Sequence, residues 1–316
     1  MSLLSIFATA ILPVVVVAAA GFALGRAKGV DPDALNTVTV YVLAPALVFH
    51  SLTTSTLGGG TILSVVLAVA LFTAAMLAVA EGVGRLTGHA EPLLGAFVLV
   101  SVFPNTGNYG IPLADFAFGA TGRSVAVLVT AIQGVLLYTL GIYVAARGSG
   151  GSALADMRRV FGVPLVYAVV VALAARWLGA VPAADSTLMQ TLELLGNASI
   201  PVMLLILGIQ LSNVDGDSDL RSVGLASAMR LLLAPALALA AVLAVGFRDP
   251  TVARVVVLLL GTPTGVTTII LVGAFSGQRD GGSASELVSA TVFLTTVASA
   301  LTVTVLVWAL QTGLVL

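Results

Sequence analysis

Phe103-Pro-Asn-Thr-Gly-Asn-Tyr-Gly-Ile-Pro112 interrupts an apolar run that extends from Pro92 to Phe118. A continuous membrane helix does not favour these residues. Pro104 and Pro112 lack an amide donor and clash with the preceding turn. Gly107 and Gly110 accept backbone angles that other residues resist. Asn105 and Asn108 can bond freed backbone groups and cap a restarted helix. The stretch therefore predicts a helix that stops, crosses as a short extended peptide and starts again. Unwound backbone at membrane depth is tolerated only where protein buries it or where it lines a watery cavity.

The composition around this stretch belongs to a polytopic membrane protein. Of 316 residues, 59% are hydrophobic and only 9% are charged, against about 25% charged in soluble domains. The 13 basic and 14 acidic residues nearly cancel, which favours neither a nucleic-acid partner nor a strongly acidic one. Cys is absent and His50 and His89 are the only histidines, so thiol chemistry, disulfides and a His-rich metal site are excluded. No cofactor or metal is expected. No Gly-x-x-x-x-Gly-Lys-Ser/Thr phosphate loop occurs, so a gradient or the membrane potential is the expected energy source. No Ser/His/Asp cluster or pair of catalytic carboxylates falls within the apolar runs, and an enzyme is not expected.

Spanning helices need about 20 residues each. Ten spans are predicted, over Leu3–Leu24, Ala34–Leu52, Thr61–Ala80, Pro92–Phe118, Ser124–Ala146, Val160–Leu178, Leu188–Leu211, Leu220–Val245, Val252–Phe275 and Glu286–Val315. The first lacks a basic flank and exceeds a signal-peptide core in length, so it is read as a span. Short links occupy the remainder, leaving no room for a soluble catalytic or regulatory domain. Links 1–2, 3–4, 5–6, 7–8 and 9–10 hold Arg26, Lys28, Arg85, Arg147, Arg158, Arg159, Arg221 and Arg279; the opposite links hold Arg123, Arg176, Arg248 and Arg254. The positive-inside bias puts the richer set in the cytoplasm and both termini outside.

The chain also divides into two halves. Pro13, Pro45 and Pro104 face Pro164, Pro201 and Pro263, and a shift of 158 residues lays Thr106-Gly107 on Thr264-Gly265 and Gly119 on Gly277. Five spans per half is odd, so the second half enters the membrane inverted. The expected organisation is a first five-span repeat over 1–147, a cytoplasmic linker over 148–157 and a second, inverted repeat over 158–316. The partner of the opening stretch is Gly261-Thr-Pro-Thr-Gly-Val-Thr-Thr268. If both helices break at mid-membrane and cross, as in many transporters, four half-helix ends meet there. The N-terminal ends suit an anionic group and the C-terminal ends a cation.

Several residues have two readings. Asn105 and Asn108 either cap the break only or also touch a substrate, the favoured reading. Thr264, Thr267 and Thr268 either bond their own helix or contribute to the site. Glu81 and Arg85, four apart on one helix face, form an interfacial ion pair or a support site able to exchange a proton. Asp115 pairs with Arg123 or lines the outer path. Arg230 either snorkels to the cytoplasmic side, the favoured reading, or balances anionic charge in a cavity. His50 could titrate near neutral pH or be a satisfied interface histidine, the favoured reading. Asp215, Asp217 and Asp219 read as a solvated loop rather than a calcium site.

Pro104-Asn-Thr-x-x-x-Gly110-Ile-Pro-Leu113 with Gly119 following, Tyr41-x-x-x-Pro45 with Phe49-His50, and Pro263-x-Gly265 resemble motifs of the auxin efflux carrier family. That family includes the plant PIN-type carriers and bacterial carriers of small carboxylates. The resemblance implies two inverted five-helix repeats with crossed broken helices 4 and 9, split into a scaffold and a transport domain, in a homodimer of the cell membrane. It implies elevator-type transport of a small organic anion, such as a mono- or dicarboxylate or an auxin-like weak acid. The site residues implied are Asn105, Thr106, Asn108, Gly110, Pro263, Thr264, Gly265 and Thr267, with Pro104 and Pro263 as crossover prolines. A cation/proton antiporter on a similar crossed-helix fold is one alternative, but no Asp or Glu lies between Glu91 and Asp115 or between Asp249 and Asp280. A membrane sensor is another, and it would normally carry an output domain.

Overall fold

The computed structural model describes residues 2–147, 164–212, 219–275 and 281–316. The linker over 148–157, Arg158, Arg159, Asp215, Asp217, Gly277 and Arg279 lie outside them. The described residues are helical throughout their regular structure: α1 Leu3–Lys28, α2 Pro32–Thr53, α3 Gly59–Leu86, α4 Leu93–Val102, α5 Thr106–Ala146, α6 Pro164–Trp177, α7 Thr187–Ser212, α8 Leu220–Val245, α9 Pro250–Leu260, α10 Thr267–Phe275 and α11 Gly281–Gln311. Seven of these (α1, α2, α3, α5, α7, α8 and α11) are long and apolar enough to cross a membrane, and α4, α6 and α9 are shorter apolar helices.

The prolines shape the helices from within. A proline has no N–H and its ring crowds the carbonyl four residues back. At Pro13, Pro45, Pro112 and Pro235 the chain relieves this with one wide i→i+5 turn. These turns are Phe7–Ile11, Thr39–Leu43, Thr106–Gly110 and Met229–Leu233, each ending two residues before its proline.

α5 contains 41 residues, about twice what a bilayer core accommodates. It does not run straight. Gly119 takes φ 61 and ψ −148, a conformation closed to residues with a Cβ, and the chain reverses there. The reversed arms touch backbone to backbone: a Cβ on Gly122 would lie 2.2 Å from the Ala114 carbonyl oxygen. Arg123 closes the reversal, its Nε 2.8 Å and its Nη2 3.1 Å from the Asp115 carboxylate oxygens, the pairing expected from the sequence. The fourth apolar run therefore ends at Gly119, as expected, and a separate long arm follows it.

Two groups of helices result. α1, α2, α6 and α7 pack on one another, and α3, α4, α5, α8, α9, α10 and α11 form the second group; all four helices of the first group touch α5, and α1 also touches α11. Lipid is as apolar as a helix surface, so close packing of small residues holds membrane helices together. α1 meets α7 at Gly21, Gly25 and Gly208; a Cβ on Gly208 would lie 1.9 Å from the Ala18 carbonyl oxygen and one on Gly21 2.3 Å from that of Leu205. The core of the second group is apolar and fully buried around Phe72, Phe97, Val100, Val257 and Leu260.

Gly208→Leu must separate α1 from α7, an overpacking expected to cost about 1–3 kcal/mol. Thermal unfolding in detergent should show a lowered transition, whereas Gly224→Ala, where a Cβ meets nothing within 4 Å, should leave it in place.

Candidate functional site

The two interrupted stretches meet. α4 ends at Val102, and Phe103 leaves it extended at φ −95, ψ 111. α9 ends at Leu260. Pro104 and Thr264 then pair as an isolated antiparallel bridge. The Asn105 N–H donates to the Pro263 carbonyl at 2.7 Å and the Gly265 N–H to the Phe103 carbonyl at 2.9 Å. Each peptide thus satisfies the other's backbone, as burial requires. A Cβ on Gly265 would approach the Pro104 carbonyl oxygen to 3.1 Å, and one on Gly110 would meet Leu259 Cδ2 at 2.9 Å. Both glycines permit the close crossing.

Beyond the crossing the chain restarts as two half-helices, 106–118 and α10. Their first residues line a cavity of about 240 Å³, which Asn105, Thr106, Gly107 and Asn108 form on one side with Gly265, Val266, Thr267 and Thr268. The rest of the lining includes Asn36 and Thr39 of α2, Thr130, Gln133 and Tyr138 of the long arm of α5, Leu165 of α6 and Gln210 of α7. No Asp, Glu, Lys, Arg or His is in this lining among the described residues. Polar character comes from amides and hydroxyls instead. Asn105 Nδ2, Thr130 Oγ1, Gln133 Oε1 and Gln210 Oε1 are buried there without a hydrogen-bond partner. Asn105 is 7% and Gln133 4% exposed. Buried polar groups are costly unless bonded, so these unpaired atoms leave hydrogen-bonding capacity unspent among the residues that line the cavity. The amides at a helix start lack intrahelical acceptors and carry the positive end of the dipole.

The sequence-derived candidates divide. Asn105, Thr106, Asn108, Gly265 and Thr267 line the cavity. Pro104, Pro263 and Gly110 belong to the crossing. Thr264 is fully buried, and its hydroxyl donates to the Val100 carbonyl at 2.8 Å, so it ties the two broken helices together. Thr268 Oγ1 bonds the Gly265 carbonyl at 2.7 Å. Glu81 and Arg85 lie at the end of α3 away from the cavity. Arg85 Nη2 and Arg147 Nη1 each reach a Glu81 carboxylate oxygen at 2.7 Å, and the Arg85 side chain is 68% exposed. Asp219 caps α8, accepting from the Arg221 and Ser222 N–H groups, and the Ser222 hydroxyl holds its carboxyl below the usual range.

Thr130, Gln133 and Gln210 were not singled out from the sequence. The available signal was a polar side chain inside an apolar span, which is costly and commonly functional.

Arg230 corrects the favoured reading of that residue. It does not snorkel: it is 0% exposed. Its Nε donates to the Thr262 carbonyl at 3.0 Å, its Nη1 to those of Ser101 and Val102 at 3.2 and 3.0 Å, and its Nη2 to that of Leu260. Phe72 lies beneath it, 5.7 Å from ring centroid to guanidinium carbon. The wide turn Met229–Leu233 carries the residue into this position.

A family model described as membrane transport protein matches residues 6–157 and 151–307. A Rhizobium meliloti protein named "Putative malonate transporter" is 26% identical over 288 residues, covering 88% of this chain and 87% of that protein. A Methanothermobacter thermautotrophicus protein named as an uncharacterized transporter is 24% identical over 270 residues, covering 85% and 86%. The motif resemblance and the family match agree, and they identify a transporter rather than an enzyme. With two matches that together span nearly all of its length, around two broken helices paired at a polar cavity, the chain belongs to the membrane transport protein family.

Proposed function

We propose that this transporter carries a small organic anion, a mono- or dicarboxylate of about the size of malonate, across the cell membrane by an elevator-type movement. The carrying observation is the cavity itself: among the described residues no charged side chain lines it, two half-helix N-terminal ends open on it, and the buried Asn105 Nδ2 has no partner. A carboxylate would accept from Asn105 and from the amides of the restarted helices. The Thr130 hydroxyl would donate to the other end of the cargo, and Gln133 and Gln210, whose amide oxygens are the unpaired atoms here, would do so with their amide groups turned to present Nε2. The volume, below the range of about 300–1,000 Å³ for drug-sized ligands, favours a compact anion. The name of the Rhizobium relative supports the same class.

The architecture proposed with this function has ten spans. α1, α2, α3, α4 with 106–118, and the long arm of α5 form one repeat; α6, α7, α8, α9 with α10, and α11 form the inverted second. α1, α2, α6 and α7 would be the scaffold, and in a homodimer they would stay fixed while the other group moves. The cavity lies between the two groups, which supports that division. Both termini would lie outside. An anion leaving a negative cell gains about 2.3 kcal/mol per charge at 100 mV, so export would need no coupling ion.

Purified protein in liposomes on a solid-supported membrane should give a saturable current with malonate or another small carboxylate. Asn105→Ala should lower its apparent affinity about tenfold or more, the equivalent of a lost charge-assisted hydrogen bond; an unaltered current would remove Asn105 from the site. Gln133→Leu and Gln210→Leu should change the ranking of mono- against dicarboxylates, because they remove polar groups from the cavity lining away from the crossing peptides. The same preparation tests the support role proposed for Glu81. Glu81→Gln should alter the pH profile of uptake, and an identical profile would leave Glu81 with only its ties to Arg85 and Arg147.

A further inference from the structure

Four half-helix ends meet at the crossing, and the structure treats the two kinds differently. The two C-terminal ends present carbonyl oxygens and the negative ends of their dipoles, about −0.5 charge each. In a membrane such a cluster is a ready-made site for a monovalent cation. Here its oxygens already have donors. Arg230 takes Ser101, Val102, Leu260 and Thr262. Thr264 Oγ1 takes Val100, the Gly265 N–H takes Phe103, Thr262 Oγ1 takes Leu259 and the Asn105 N–H takes Pro263. No carboxylate lies within ion-pair distance of Arg230 among the described residues. Its charge is instead set against the two dipole ends, which about cancel it. At the positive N-terminal ends the Gly110, Thr268 and Ile269 N–H groups donate to local carbonyls, but no anionic side chain lines the cavity on which those ends open among the described residues.

We infer that Arg230 is a tethered cation: it permanently fills the carbonyl side of the crossing, where a coupled carrier would bind a metal ion, and so makes the cavity anion-selective without sodium. This rests on the anion-carrier reading above. A guanidinium suits the task because it stays charged and its planar fork of five N–H donors can bridge two helices at once. Lysine offers the charge without the fork. Arg230 does not line the cavity; it is a positioning residue that acts through the crossing and through the field it leaves behind.

The test uses wild type, Arg230→Met and Arg230→Lys, each reconstituted in liposomes. Radiolabelled malonate uptake is measured in sodium chloride and in choline chloride, and radiosodium binding is measured on the purified proteins. Wild type should transport equally in both salts and show no saturable radiosodium binding. Arg230→Met should lose about tenfold or more in choline, recover in sodium and bind radiosodium, because four buried carbonyls have lost their donor. Arg230→Lys should be slower than wild type yet still indifferent to sodium. Sodium-dependent wild-type uptake, saturable radiosodium binding by wild type, or wild-type rates for Arg230→Met in choline would each overturn the inference. So would an Arg230→Met defect that sodium does not relieve, which would reduce Arg230 to a structural clasp. If Arg230→Met does not fold, Arg230→Lys decides, and sodium dependence in that variant overturns the inference. Should wild type move no carboxylate at all, the anion-carrier reading fails, while the radiosodium comparison still decides the role of Arg230.

Discussion

Two backbone hydrogen bonds, Asn105 N–H to the Pro263 carbonyl and Gly265 N–H to the Phe103 carbonyl, make the rest of the molecule possible. A helix cannot stop inside a bilayer unless something replaces its internal bonds. Here two helices stop at the same place and each peptide supplies what the other lacks. The prolines, the glycines that admit close approach and the buried threonines at the crossing all serve that exchange. Once the break is satisfied, two helix N-termini become available in the interior, where no continuous helix could offer them.

The exchange is not complete with backbone alone. A two-residue ladder leaves the final carbonyls of α4 and α9 short of donors, and these are met by Arg230 and Thr264. A fully buried guanidinium is ordinarily a liability. Surrounded by four carbonyls and two dipole ends of opposite sign, with Phe72 beneath it, it becomes part of the frame. The neutral cavity on one side of the crossing and the occupied carbonyl side on the other are therefore two faces of one arrangement.

How far the sequence disclosed this depended on what kind of signal each feature leaves. The break at Pro104–Gly110 and its partner at Pro263–Gly265 were legible because Pro, Gly and Asn contradict the apolar run around them. The reversal at Gly119 was legible as the end of a run. The third span extends to Leu86 rather than Ala80, because Glu81 and Arg85 pair along the helix instead of ending it. Arg230 was misread because a charge a third of the way into a span looks able to reach water; only the fold shows that carbonyls lie closer. Gln133 and Gln210 are single polar residues in apolar helices, and which face they occupy depends on packing that no local pattern states. Thr264 carried the expected residue type, but its hydroxyl turns toward Val100 and the crossing.

The reversal at Gly119 has one more result. Asn105 and Asn108 stand at the start of the short arm of α5, and Thr130 and Gln133 lie on the long arm that returns beside it, the two fastened by Arg123 on Asp115. Two parts of the cavity lining thus come from one uninterrupted peptide folded back on itself. That segment also packs on α6, α7 and α9 of the second half, so its substitutions bear on the lining of the chamber and on the fit between the two halves together. One fold in the peptide at Gly119 thus couples the start of the short arm, the lining of the chamber and the seam between the halves in a single stretch of chain.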